Sequence, residues 1–206
     1  VTPRTDRAPL GMTAWRLGFN VALARRTWPP CDLVVGFDLD GFLLPSRGLG
    51  TYLVSIKGVL AEELTFERGA VRRLLQLQSW CEERNVRRAS LVVTTSRYAA
   101  GKIGERYQVS DRRLRLVPEL IDLDVWRLRF EQAPSAAFAS PTILSVAHMY
   151  PRKSLDTLLQ AVALLPDRWR DARVRLVGVG PEYERWRRLA RDLGLGDRAV
   201  FLGHVS

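Results

Sequence analysis

Residues Thr142–Lys153 read TILSVAHMYPRK. The opening TILSV is an apolar, β-branched run of strand length, and His148 to Pro151 breaks it with an exposed turn. Lys153 leaves that turn, and Ser154 after it is a good N-cap residue. Leu155, Leu158, Leu159, Val162 and Leu165 then recur three and four residues apart, as one buried helical face requires. One line of sequence thus predicts a strand, a turn carrying a lysine, and the start of a helix. Helix N-termini present unpaired N–H groups and a positive dipole end, so a flanking ammonium makes this a place for a diphosphate.

The following residues repeat the unit. Val174–Gly178 (VRLVG) reads as a second strand, Gly180 permits close backbone approach, and Pro181 suits a first helical turn. Tyr183, Trp186, Leu189, Ala190 and Leu193 form the apolar stripe of a second helix, Gly194 is its stop, and Ala199–Leu202 (AVFL) reads as a third strand. The order β-α-β-α-β implies a parallel sheet with helical crossovers, whose ligands sit beyond the carboxyl ends of the strands. His148, Lys153 and the Gly178–Pro181 turn all fall there.

The first two thirds of the chain show the same alternation. Strand-like runs lie at Leu33–Phe37, Tyr52–Ile56, Leu91–Thr95 and Leu114–Val117, with a helix from about Gly69 to Arg88 between the second and third. Ser96 reads as the N-cap of a helix whose face is Ala99, Ala100, Ile103 and Tyr107, and Pro118 ends the fourth strand. Between Asp124 and Pro141 the stretch WRLRFEQAPSAAFASP lacks strong periodicity and reads as a linker.

These residues resemble the GT-B type glycosyltransferases, specifically the large retaining family 4. The family's donor-domain pattern runs strand, Arg, four residues, Lys, Gly, helix, strand, Gly-x-Gly-Pro; here His148 stands at the arginine and Ser154 at the glycine. RASLVVTTSRY and LVPELIDLDVW are similar to two segments of the family's acceptor domain, with Leu120 in a glycine place. The resemblance runs from about Asp32 to His204 and is weak over the first thirty residues. It implies an α/β chain of two Rossmann-like parallel-sheet units, both incomplete. Residues 1–124 would be the later part of an acceptor-binding domain, 125–141 a linker, and 142–206 the first half of a nucleotide-sugar domain. The family's first Gly-rich loop and its pair of glutamates do not occur, so the expectation is an internal piece of a longer protein.

The resemblance further implies transfer of a hexosyl group from a nucleotide diphosphate sugar to a hydroxyl acceptor with retention, in cell-surface polysaccharide or glycolipid synthesis. Lys153 and His148 would stabilise the leaving diphosphate, with Arg152, Gly178, Gly180, Pro181 and Glu182 on the donor. Lys57 stands where many members have a histidine; whether it meets donor, acceptor or solvent is open, and it joins Arg68 and Ser96 as the acceptor-side candidates. Partners would be the nucleotide-sugar donor and a saccharide or lipid-linked acceptor. The family is metal-independent, so no metal and no cofactor are expected, and Asp38 and Asp40 in GFDLDGF are read as turn residues.

The chain's 206 residues suffice for one large or two small domains, and 47 % hydrophobic residues is ordinary for a globular protein. No apolar run approaches 18 residues and the opening VTPRTDRAPLGM lacks a signal-peptide layout, which makes a cytoplasmic location the expectation. Cys31 and Cys81 are far apart and belong to no metal-like spacing. A net charge of +10, almost all of it arginine, draws polyanions; no nucleic-acid fingerprint accompanies it, so no nucleic acid is expected. Arg72, Arg73, Arg84, Arg87 and Arg88 with Leu77 and Trp80 leave a peripheral contact with anionic membrane open as an alternative to a core-facing helix. The rival functions are a basic binding module for RNA or membrane, and a nucleotide-sugar epimerase of similar form.

Overall fold

In the computed structural model, residues 9–44, 50–133 and 140–205 are described. The chain divides into two compact units, Val1–Ile121 and Asp122–Ser206. Each is an α/β unit with a parallel sheet, of four strands in the first and three in the second.

The first unit contains α1 (Pro9–Arg25), β1 (Leu33–Phe37), β2 (Thr51–Ile56), α2 (Leu60–Glu63), α3 (Gly69–Arg88), β3 (Leu91–Thr94), α4 (Arg97–Tyr107) and β4 (Leu114–Leu116). Its strands lie in the order β1-β2-β3-β4, all parallel, with Val54 opposite Val92 and Val92 opposite Leu114. Alternation along these strands sends Val54, Ile56 and Val92 into a core shared with Val86 of α3 and Ile103 and Tyr107 of α4. Helix α3 has the bounds expected from sequence. Leu77 and Trp80 nevertheless lie on its exposed side, 41 % and 55 % accessible, while Cys81, Glu82, Asn85 and Val86 are buried. Both cysteines are free thiols, Cys31 half-buried and Cys81 buried.

The second unit contains α5 (Leu123–Gln132), β5 (Thr142–Val146), α6 (Leu155–Ala163), β6 (Arg173–Val177), α7 (Tyr183–Asp192) and β7 (Ala199–Gly203). The strands run parallel in the order β5-β6-β7. Leu159 and Val162 of α6, Trp186 and Ala190 of α7, and Val174 and Leu176 of β6 close one core on one face of the sheet. Gly194 follows α7 at φ +67°, the left-handed turn that stops the helix. Residues 123–132, largely inside the stretch read from sequence as a linker from residue 125, are helical instead. Asp122 caps them, its carboxylate accepting from the N–H groups of Asp124 and Val125 at 3.0 and 3.1 Å. The rest of that stretch, residues 134–139, falls outside the described residues.

Candidate active site

The carboxyl ends of β5 and β6 carry two turns that are knitted together. Beyond the strands, Ala147 N–H donates to Val177 O (3.0 Å), Met149 N–H to Val179 O (2.9 Å) and Glu182 N–H to Met149 O (3.0 Å). Met149 is fully buried in the core, whereas its neighbours His148 and Tyr150 are exposed. The chain therefore pins itself at Met149 and presents His148 and Tyr150 outward, with their rings 6.1 Å apart.

Gly178 and Gly180 follow from this knitting. A Cβ on Gly180 would sit 2.6–2.8 Å from the backbone atoms of Met149, and one on Gly178, at φ +131°, would sit 1.9 Å from Ala147 O. The close approach that Gly180 permits is thus that of the neighbouring turn. Glycine at both positions holds the two turns side by side, which brings His148 and the Gly178–Pro181 turn to one rim.

Lys153 ends a short 3-10 turn, Pro151–Lys153, directly before α6, and its side chain is exposed. Among the described residues its ammonium has no ion-pair partner. Ser154 does not cap α6: it adopts the left-handed conformation, φ +46° and ψ +43°, and makes no side-chain cap hydrogen bond. The reason is geometric, because a capping hydroxyl needs an extended backbone, and here the chain must turn sharply out of the 3-10 turn. Asp156 does part of that work, accepting from Thr157 N–H at 3.0 Å. Pro181 lies in a turn ahead of α7, which begins two residues later at Tyr183.

Glu182, a donor-side candidate, is engaged by Arg185, which also reaches Asp156 at 3.8 Å. Arg185 therefore bridges the starts of α6 and α7. Sequence reading passed over it, although its i,i+3 spacing from Glu182 was a readable signal. At this rim the structure brings together His148, Arg152, Lys153, Gly178, Gly180, Pro181 and Glu182, with two helix N-termini beside them.

In the other unit, Lys57 directly follows β2 and Ser96 follows β3. Lys57 N–H donates to Asp38 Oδ1 (3.0 Å) and its ammonium pairs with Glu119 beyond β4. Ser96 is a true cap, its hydroxyl accepting from Ala99 N–H at 3.1 Å. Arg68 occupies the N-cap position of α3 and is exposed. Asp40 is bound by Arg16 (2.8 Å) and Asn20 (2.9 Å), which gives it a structural role. Among the described residues no group of three His, Cys, Asp or Glu side chains is placed to hold a metal ion, and no helix is long and apolar enough to cross a membrane.

Residues 129–206 match the family model described as Glycosyl transferases group 1. The chain is 38 % identical over 66 residues to the GDP-mannose-dependent alpha-(1-6)-phosphatidylinositol monomannoside mannosyltransferase of Mycobacterium tuberculosis, an alignment covering 32 % of this chain and 17 % of the relative. Its counterpart in Mycolicibacterium smegmatis is 30 % identical over 122 residues, 55 % of this chain and 31 % of the relative. The chain thus spans about a third or less of the length of these relatives. Among solved structures, Anabaena HepE in complex with UDP and glucose superposes with a TM-score of 0.58 at 18 % identity, over 85 % of this chain and 48 % of that one. The fold is the two-unit parallel-sheet α/β arrangement of GT-B glycosyltransferases, and the matches support a group 1 glycosyltransferase.

Proposed function

We propose that the chain belongs to a retaining, family 4 glycosyltransferase that moves a hexosyl group from a nucleotide diphosphate sugar to a hydroxyl acceptor without a metal. The observation that carries this reading is the rim of the second unit, where Lys153 and His148 stand beside the start of α6 and the Gly178–Pro181 turn. As the glycosidic bond breaks, its electron pair passes to the diphosphate oxygen. Lys153 and His148 supply positive charge and hydrogen-bond donors there, and the α6 N-terminus adds its dipole. Arg152 lies in the same turn as Lys153, and Arg185 beside it bridges Glu182 and Asp156. The mannosyltransferase relatives make a GDP-sugar the first donor to try and a lipid-linked polyol the acceptor class, with synthesis of glycolipid or surface polysaccharide as the setting. Such an enzyme works at the cytoplasmic face of an anionic membrane, and the exposed Leu77 and Trp80 on arginine-rich α3 suit peripheral contact there.

The test is calorimetric titration of GDP, UDP and ADP into the purified chain and into Lys153→Ala. One diphosphate should bind saturably, and the substitution should weaken it by about tenfold or more, the cost of one lost charged contact. A folded chain that binds none of the three, or a variant that binds as the wild type does, overturns the reading.

A further inference from the structure

We infer that the segment Leu60–Arg68, between β2 and α3, is a strap that lifts off the first unit when the buried carboxyl of Glu82 gives up its proton. The inference goes beyond the glycosyltransferase reading and does not depend on it.

The strap is anchored at its ends and pinned at one point between them. Val59 is buried and fixes the near end, while Gly69, at φ +59° with open space where a Cβ would stand, turns the far end into α3. Every residue from Leu60 to Arg68 is half-buried or exposed, α2 included. The first turn of α2 is pinned from inside: Leu60 N–H donates to Glu82 Oε1 (3.1 Å) and Ala61 N–H to the Tyr107 hydroxyl (3.3 Å). That hydroxyl donates in turn to the same Glu82 oxygen, at 2.5 Å. As the first two residues of a helix, Leu60 and Ala61 have no helical acceptor, so these side-chain oxygens satisfy them. On the outside, Arg106 pairs with Glu62 (2.7 Å) and Arg72 donates to Leu64 O (3.0 Å), exposed contacts that contribute little. An element without a buried residue opens ahead of the core beneath it.

The surroundings of the Glu82 carboxyl make the pin sensitive to charge. Oε1 already accepts from two donors, which leaves the proton on Oε2, and Oε2 is buried with no partner among the described residues. Once that proton passes to solvent, the negative charge lies where nothing solvates it. Asp38 after β1 and Glu63 on the strap add like charge, and α4 presents the Tyr107 phenol, which Ser79 of α3 also bonds. Nearby cations are engaged elsewhere, Arg106 with Glu62 and Lys57 with Glu119. Lifting the strap carries Glu63 away and admits water to Oε2, so the open form favours the carboxylate. Burial holds the carboxyl of the closed form up to about 8, which places the lift between neutral and mildly alkaline pH. Lys57 and Gly58 lead directly into the strap, so the lift also loosens the carboxyl end of β2.

Amide hydrogen exchange of the wild-type chain, read by NMR as protection factors across this range, tests the strap. Leu60 and Ala61 should be protected about tenfold less, or lower still, than Val92 and Ile103 in the core, which exchange only when the unit unfolds. Their protection should fall about tenfold or more between about pH 6 and about pH 8, the direction required when opening releases a proton. In Glu82→Gln, which keeps an accepting oxygen and cannot ionise, it should stay level. Tyr107→Phe removes the acceptor of Ala61 and should lower the protection of that amide about tenfold throughout. Strap amides protected as strongly as Val92 and Ile103, wild-type protection that does not change with pH, a fall that survives in Glu82→Gln, or an Ala61 amide indifferent to Tyr107→Phe overturns the inference. The wild-type comparison decides by itself if either variant fails to fold.

Discussion

Tyr107 donates its hydroxyl to Glu82 Oε1 at 2.5 Å, and neither side chain is accessible to more than a trace of water. The same oxygen accepts from Leu60 N–H at 3.1 Å, while Oε2 has no partner among the described residues. Burial pushes the Glu82 carboxyl up to about 8, against the two hydrogen bonds that favour its charged form; nearby Asp38 and Glu63 push it further up. Burial, and then the Glu82 charge, also raises the Tyr107 phenol.

Stability should therefore fall as the pH rises. Between the ordinary carboxylate pKa of about 4.3 and about 8, the folded chain holds a proton on Glu82 that the unfolded chain releases. That contribution is complete below the lower value and is lost as pH climbs through the upper one; its size is a few kcal/mol. Urea midpoints should be lower near pH 8 than near pH 5. Glu82→Gln, which keeps shape and cannot ionise, should remove most of that slope, and an unchanged slope would assign it to other groups.

Ser154→Gly should stabilise the chain. Serine at φ +46° bears the steric cost of a Cβ in the left-handed region, and the side chain returns no capping bond. Glycine removes the cost and gives back part of the gain through greater freedom when unfolded, for a net of about 0.5–1 kcal/mol. Thermal unfolding should show a rise of a few degrees, with Ser154→Val moving it the other way.

The order of elements was legible because its signals are local. Short apolar runs marked all seven strands, and three-to-four spacing marked α4, α6 and α7. The resemblance to glycosyltransferases then grouped the residues at the rim of the second unit before any geometry was known. Conformations decided by neighbours were not legible. Ser154 has the composition of a cap, yet the preceding 3-10 turn dictates its backbone. Residues 125–132 look aperiodic and still form a helix, because Asp122 and a run of good helix formers suffice without a buried face. Lys57 was visible as a strand-end lysine, but its partner Glu119 is 62 residues away and no spacing rule points there. Helix α1 went unread because its apolar residues surround it instead of forming a stripe.

Glycine substitutions should separate sites of contact from sites of mere flexibility. Gly180→Ala drives a Cβ to within 2.6 Å of the Met149 carbonyl, which is backbone and cannot rotate aside. The two turns must part, at an expected cost of about 1–3 kcal/mol, as for overpacked core positions. Nucleoside diphosphate affinity should fall with it, since His148 and Lys153 flank the displaced segment. Gly101→Ala, in α4 with nothing within 4 Å of the added atom, should gain about 0.5–1 kcal/mol from helix propensity alone. Denaturant midpoints for the pair should therefore move in opposite directions.

Asn85 gives a sharper test, because replacing its amide by a carboxylate changes one atom and reverses its chemistry. Its Nδ2 donates to Asp38 O at 2.8 Å and to Asp40 O at 3.2 Å, and its Oδ1 accepts from the Tyr52 hydroxyl. Asn85→Ala leaves two carbonyls and one phenol short of partners in a buried place, which should cost about 2–4 kcal/mol. Asn85→Asp should be worse at neutral pH: the Tyr52 contact survives, but a negative oxygen now faces the two carbonyls. Lowering the pH protonates that oxygen and restores a donor toward one carbonyl. The aspartate variant should then recover stability relative to the alanine variant as pH falls toward about 4. Chemical denaturation of both across that range checks the sign, and an alanine variant that stays the weaker of the two at pH 7 would show that the loop after β1 does not depend on the Asn85 donors.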